Sequence, residues 1–130
     1  MATWREVENY LSSNYQIEKI DHNVVSINFG LNDGRSQLTF ISGHLLDDAE
    51  DAFVSFSSPF ARVDQISPQQ LANCMADTQT GSFARFGDWY VLRHNAPLGN
   101  LDANEIEWPL KWVTVMADLT ERSLGLGDNF

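Results

Sequence analysis

The chain has one cysteine, Cys74, so it can build neither an intrachain disulfide framework nor a cysteine-based zinc site. Basic residues are scarce: 8 Lys and Arg stand against 18 Asp and Glu, a formal charge of −10. That deficit argues against nucleic acid or an anionic membrane as the main partner, because gripping phosphates takes clustered Lys and Arg. No apolar run approaches the roughly 20 residues that span a bilayer. The first residues lack a charged stretch leading into an apolar one, so a cytoplasmic protein is the expectation. What is plentiful is bulk to bury. Hydrophobic residues make up 43% of the 130 and aromatic ones 12%, with four Trp and eight Phe. A single domain of that size and composition buries a core without disulfides or metal. Its acidic balance would favour a partner carrying a basic segment.

The order of local signals predicts an α+β domain, an antiparallel sheet with packed helices, in the order α-β-β-β-α-β-β-α. Thr3-Trp4-Arg5-Glu6 is a capping box, and Trp4, Val7, Tyr10 and Leu11 give a helix over roughly residues 4–13. The period then changes. Val25, Ile27, Phe29 and Leu31 alternate with smaller or polar residues, Asn32-Asp33-Gly34 turns the chain, and Leu38 and Phe40 continue the apolar alternation. Ile17 and Ile20 suggest a short earlier strand. Gly43 to Asp51, with Asp47, Asp48, Glu50 and Asp51, reads as an acidic loop, and Ala52 to Phe56 as a third strand that ends or bulges at Pro59.

Ser67-Pro68-Gln69-Gln70 opens a second helix with an N-cap, a proline in its first turn and a completing Gln. Leu71, Cys74, Met75 and Thr78 form its apolar face, and Gly81 fits its C-terminal cap. Phe83–Phe86 and Trp89–His94 are strands joined by the two-residue turn Gly87-Asp88. Asp102-Ala103-Asn104-Glu105 opens a last helix with Ile106, Leu110, Val113, Met116, Ala117 and Leu124 on its apolar face. Pro109 either kinks that helix or follows a short turn, the helix then starting at Glu107 or Trp108. Gly125 to Phe130 is expected to fray.

This order is similar to the type III secretion chaperone-like fold, and its second half resembles the YbjN-type family. The resemblance rests on Phe53-Val54-Ser55-Phe56 before the capped helix and on the small and polar run Asn73 to Gly81. It continues through Phe83-Ala84-Arg85-Phe86-Gly87-Asp88-Trp89-Tyr90-Val91-Leu92-Arg93, then Ala96-Pro97-Leu98. It implies a helix-covered sheet, assembly as a homodimer, and binding of an extended protein segment without a catalytic site. No cofactor is implied.

Candidate chemistry is thin. His22, His44 and His94 stand in no metal-ligand spacing. His44 with Asp47, Asp48 and Asp51 is the best metal or acid–base constellation, and would suit a small metal-dependent hydrolase as the alternative reading. Its loop lacks the ligand alternation and central Gly of a calcium site. Ser55-Phe56-Ser57-Ser58 contains no nucleophile elbow, and its serines read as a strand's outward face. Cys74, on an amphipathic helix, reads as a small apolar filler. A third reading is a structural subunit of a larger complex.

The aromatics carry more. Trp108 and Trp112 share a helical face, while Ile106, Leu110, Val113 and Leu124 extend around the same helix, more apolar surface than one sheet face covers. The surplus packs either in a dimer interface or under the loop from Asn95 to Leu101. Trp108, Trp112, Phe56 and Phe60 are the expected contact residues for a second copy or an apolar and basic partner segment.

Overall fold

In the computed structural model, which describes residues 3–31, 34–44, 53–78, 81–99 and 101–130, the first helix is set by its cap. The Thr3 hydroxyl accepts from the Glu6 amide at 3.2 Å, and α1 (Trp4–Asn14) follows. Glu6 does not complete the box on the Thr3 amide; its carboxylate meets the Thr3 hydroxyl at 3.4 Å. Then come β1 (Glu18–Asp21), β2 (Val24–Gly30), β3 (Ser36–His44), β4 (Phe53–Arg62), α2 (Pro68–Ala76), β5 (Ser82–Phe86), β6 (Trp89–Pro97) and α3 (Ala103–Ser123). Relative to the expected order, one strand is added: the short β1 around Ile20. The described strands form one antiparallel sheet in the order β1-β2-β3-β4-β6-β5. After β4 the chain passes through α2 to the far edge, lays down β5, and returns as β6 between β5 and β4.

Pro59 explains the shape of β4. It offers no N–H to the ladder, and the register shifts between Pro59 and Ala61, so the strand bulges and runs on to Arg62 rather than stopping. Pro109 is handled differently. Asp102 caps α3 by accepting from the Glu105 amide at 2.9 Å, and the helix passes through a buried Pro109 to Ser123. The start at Glu107 or Trp108 is therefore not the one adopted.

Each strand presents one side to the helices. Val25, Ile41, Val54 and Phe56 meet Val7 and Leu11 of α1 and Ile106, Leu110 and Val113 of α3 in one core. Phe60, Ala61 and Leu92 form a second with Ile66 and Ala117, against which Leu71 of α2 packs. All three helices thus lie on the same face of the sheet. The apolar residues of β3 are the surprise. Val25 pairs with Ile41 and Ile27 with Thr39, so the buried residues of β3 are Gln37, Thr39, Ile41 and Gly43, while Leu38 and Phe40 point to the other face. The alternation was apolar on both sides of the register, and packing against α3 chose the more polar set.

That set is joined by a buried network, in which, among the described residues, Gln37 Oε1 alone is left without a partner. Gln37 Nε2 donates to Ser58 Oγ at 2.8 Å and to the Pro59 carbonyl at 2.6 Å. Thr39 Oγ1 and Thr114 Oγ1 of α3 are 2.7 Å apart, and Thr114 also reaches the Leu110 carbonyl. Buried polar groups hold their place only when paired, so this layer fixes the rotation of α3 over the sheet.

Three further expectations are corrected. Gly81 does not cap α2, which ends at Ala76 with Asp77 as its cap. Its φ is +76°, and a Cβ there would lie 2.8 Å from the Trp112 ring, so glycine is required to seat that indole. No residue of α2 is fully buried, and Met75 of its expected apolar face is 52% exposed. Gly125 to Phe130 is not frayed. Leu126 packs on the second core, the Ser36 amide donates to Asp128 at 3.2 Å, the Asn129 amide donates to Glu121 at 3.2 Å, and the Phe130 ring meets Trp89 edge-on at 5.4 Å.

Phe56 is fully buried where α1, α3 and the central strands converge. Phe56→Ala is expected to cost about 3–5 kcal/mol in urea unfolding, the range for an unfilled aromatic cavity. A loss under about 1 kcal/mol would show that the core closes over the gap.

Candidate functional site

Helix α3 carries two apolar seams. Ile106, Leu110, Val113 and Ala117 face the sheet and are 0% exposed. Trp108, Trp112, Val115 and Leu119 repeat the same four-three-four spacing two residues later, roughly 200° around the axis. A helix needs only one such seam to pack on a sheet. The second is open: Trp108 is 53% exposed, Val115 46% and Leu119 48%.

Local packing makes this seam firm. The Trp108 and Trp112 rings stack at 6.1 Å with planes 13° apart, and Trp108 meets His94 of β6 edge-on at 5.6 Å. Trp112 is half-buried over Gly81. Neither indole is stored under the loop after Asn95 as a pair; Trp108 stands in the open. A groove of about 580 Å³ runs along the helix between Asn104 and Met116, with Lys111 and Glu107 on its rim. A smaller hollow of about 240 Å³, lined by Cys74, Thr78, Met116 and Leu119, continues it towards α2.

Glu107 is the fixed point at one end. Tyr10 donates to its Oε1 at 2.6 Å and Tyr15 donates to its Oε2, tying α1 to α3. The carboxylate accepts both phenol protons and so opposes their loss. The Tyr10 phenol is pushed up to about 12 by that hydrogen bond, then by burial and charge. Tyr15 is raised too, by burial first and then by the same bond.

The other expected residues are dispersed. Phe56 and Phe60 are 0% exposed and sit in the two cores, so they cannot touch a partner. Their position in a strand before a capped helix gave no sign of which face they took. His44 stacks on Phe53 at 4.7 Å and its Nε2 lies 3.0 Å from Ser42 Oγ, while burial and then Arg93 lower its pKa. Asp47, Asp48, Glu50 and Asp51 lie outside the described residues. His22 is exposed beside Asp21, at 3.0 Å. His94 is half-buried, which lowers its pKa. Ser55 and Ser57 face away from the helices, but Ser58 points into the buried network. Cys74 is half-buried, and its thiol is raised, chiefly by burial.

One cluster escaped the sequence reading. Asp118, Glu121 and Asp128 bring carboxylate oxygens within 4.8 Å of one another. Arg35 occupies it, with Nε 2.8 Å from Asp118 and Nη2 3.1 Å from Glu121, and Arg122 reaches Asp118 at 3.0 Å. The protein's own guanidinium groups thus supply the countercharge that a cation would. Burial holds the Glu121 carboxyl above its ordinary range, against the pull of the Asn129 amide and Arg35.

No family model, curated protein or solved structure matches the chain. The site is therefore argued from its geometry. Val115 and Leu119 were missed in the sequence although Trp108 and Trp112 were not. The signal was present as the 3.5-residue period running through all four, offset from the buried seam.

Two titrations check these contacts. In Glu107→Gln, the Tyr10 phenol should ionise nearer the ordinary 10.0 than 12, read by absorbance at high pH. An unchanged curve would mean that the carboxylate does not hold Tyr10. For Glu121 the folded carboxyl is raised, so its stabilising contribution is complete below the ordinary 4.5 and is lost as pH climbs through the folded value. Wild-type Tm should therefore fall relative to that of Glu121→Gln over this rise; a difference that stays flat refutes it.

Proposed function

We propose that this chain is a non-enzymatic, chaperone-like protein-binding domain that works as a homodimer and needs no cofactor. The observation that carries the reading is the second, uncovered seam of α3. Exposed apolar side chains set in a continuous row mark interaction surfaces, whereas scattered ones do not. Stacked indoles suit such a surface, since Trp gives large contact area with few rotatable bonds and is enriched among the residues that dominate binding. The seam's 3.5-residue period fits a helix laid alongside, from a second copy or from a partner segment.

The net charge of −10 favours a partner segment that is basic as well as apolar, with attraction that weakens as salt screens it. The resemblance to the type III secretion chaperone-like and YbjN-type families belongs to this same proposal, as does a cytoplasmic location. No helix among the described residues is long and apolar enough to cross a membrane.

Size-exclusion chromatography with light scattering should give about twice the chain mass of 14.7 kDa at micromolar concentration. Trp108→Ser with Leu119→Ser should yield the monomer, and should abolish binding of a labelled Lys- and Leu-rich peptide. Both positions are exposed, so urea stability should change by less than about 1 kcal/mol. A wild-type monomer that also ignores the peptide would sink the proposal.

A further inference from the structure

With all three helices on one side, the other face of the sheet carries no helix, Phe130 of the last segment reaches one part of it, and it is not polar. Ile20, Val24, Phe40, Phe86 and Trp89 line a cleft of about 410 Å³ there. Cross-strand register brings them together from five strands: Val24 sits opposite Ser42, Phe40 opposite Ser57, and Phe86 opposite Trp89. Phe40 and Trp89 are tilted rings 6.2 Å apart, so the floor is aromatic. The volume falls in the range of small-molecule sites, about 300–1,000 Å³.

The cleft has a cation on its margin. Arg93 is directly opposite Ser57, a cleft residue, so both side chains leave the sheet on the same side. Its guanidinium carbon lies 6.0 Å from the centre of the Phe86 ring, another wall of the cleft. Among the described residues Arg93 has no carboxylate partner, and its Nε is buried without a hydrogen bond. Three of the six arginines, Arg35, Arg62 and Arg122, have carboxylate partners at hand. A buried donor left unpaired costs stability, and a carboxylate is the acceptor whose geometry matches a guanidinium. His44, another residue of the cleft, has its pKa lowered by burial first and then by the charge of Arg93.

We infer that the cleft on the helix-free face binds a small free carboxylic acid with an aromatic or branched apolar body, its carboxylate on Arg93 and Ser57 and its body on Phe40, Phe86 and Trp89. This site is separate from the seam of α3 and does not depend on the protein-binding proposal. The occupant is a small acid rather than a polypeptide because the cleft is a single hollow matching one ring or branched chain beside one charge. An aromatic ring already packs against Trp89 from its other side, that of Phe130.

The test uses the intact chain and 4-phenylbutyrate, with 4-phenylbutyramide as its uncharged counterpart, in calorimetry and in amide NMR. The acid should bind with a saturable isotherm and shift the amides of Phe40, Ser57, Phe86 and Trp89. The amide should bind at least about tenfold more weakly, since it leaves the guanidinium unpaired. Arg93→Gln should weaken the acid to the level of the amide without altering the amide itself. Trp108→Ser should change neither, which separates this site from the seam. Equal affinity for acid and amide, shifts confined to α3, or binding only of a peptide ending in a free phenylalanine carboxylate would each overturn the assignment. If Arg93→Gln does not fold, the acid-against-amide comparison on the wild type still decides it.

Discussion

The hydroxyl pair between Thr39 and Thr114 governs more of this molecule than its size suggests. At 2.7 Å it joins the middle of β3 to the middle of α3 inside a layer from which water is excluded. An apolar interface tolerates a helix that rolls or slides, because dispersion and burial have little direction. A buried hydroxyl pair is directional, because rotating the helix breaks the bond that joins it to the sheet. With Thr114 pinned, Leu110, Val113 and Ala117 must face the sheet, and Trp108, Val115 and Leu119 must face away. The outward row follows from the inward bond.

The same constraint explains which parts of the fold could be read in the sequence. Helix starts were legible because they are local: Thr3, Ser67 and Asp102 each bond a backbone amide three residues on. The Gly87-Asp88 hairpin was legible for the same reason, and Gly87 has φ +58°. The inward side of β3 was not. Leu38 and Phe40 are the better hydrophobes, and nothing local says that Gln37, Thr39 and Ser58 will satisfy one another across two strands and a helix. Gly81 was misread likewise. A glycine after a helix commonly caps it, and only the position of Trp112, far along the chain, shows that the space above it is the reason. Of the proposed contact residues, the two indoles came from helical period and hold the surface. Phe56 and Phe60 came from a strand, where apolar character alone cannot choose a face. The open side of the sheet could not be read, since it depends on all three helices taking the other.

Charge is distributed with similar economy. Arg35, just before β3, reaches across to the last turns of α3, where it neutralises Asp118 and Glu121. Truncating one member of such a buried set leaves the rest uncompensated, and the same carboxylates fasten the segment after α3, Glu121 accepting from the Asn129 amide and Asp128 from the Ser36 amide. Arg93 contrasts with it. The two guanidinium groups differ in what surrounds them, one closed in by carboxylates and the other bordered by aromatic rings and serines.

The irregularity in β4 has a consequence for how this sequence can vary in length. Because Pro59 to Ala61 holds one residue more than the partner strand, Ala61 lies opposite Tyr90 and Arg62 opposite Trp89. Deleting one residue of that stretch would remove the bulge and leave Arg62 opposite Trp89, on the face it already occupies. Straightening the strand with all its residues kept would instead turn the guanidinium of Arg62 into the oily layer that Phe60 and Leu92 occupy, and Ala61 out of it. A one-residue loss here is thus compatible with both surfaces of the sheet, and the bulge acts as a parity bit that lets the longer strand keep its final pair in phase.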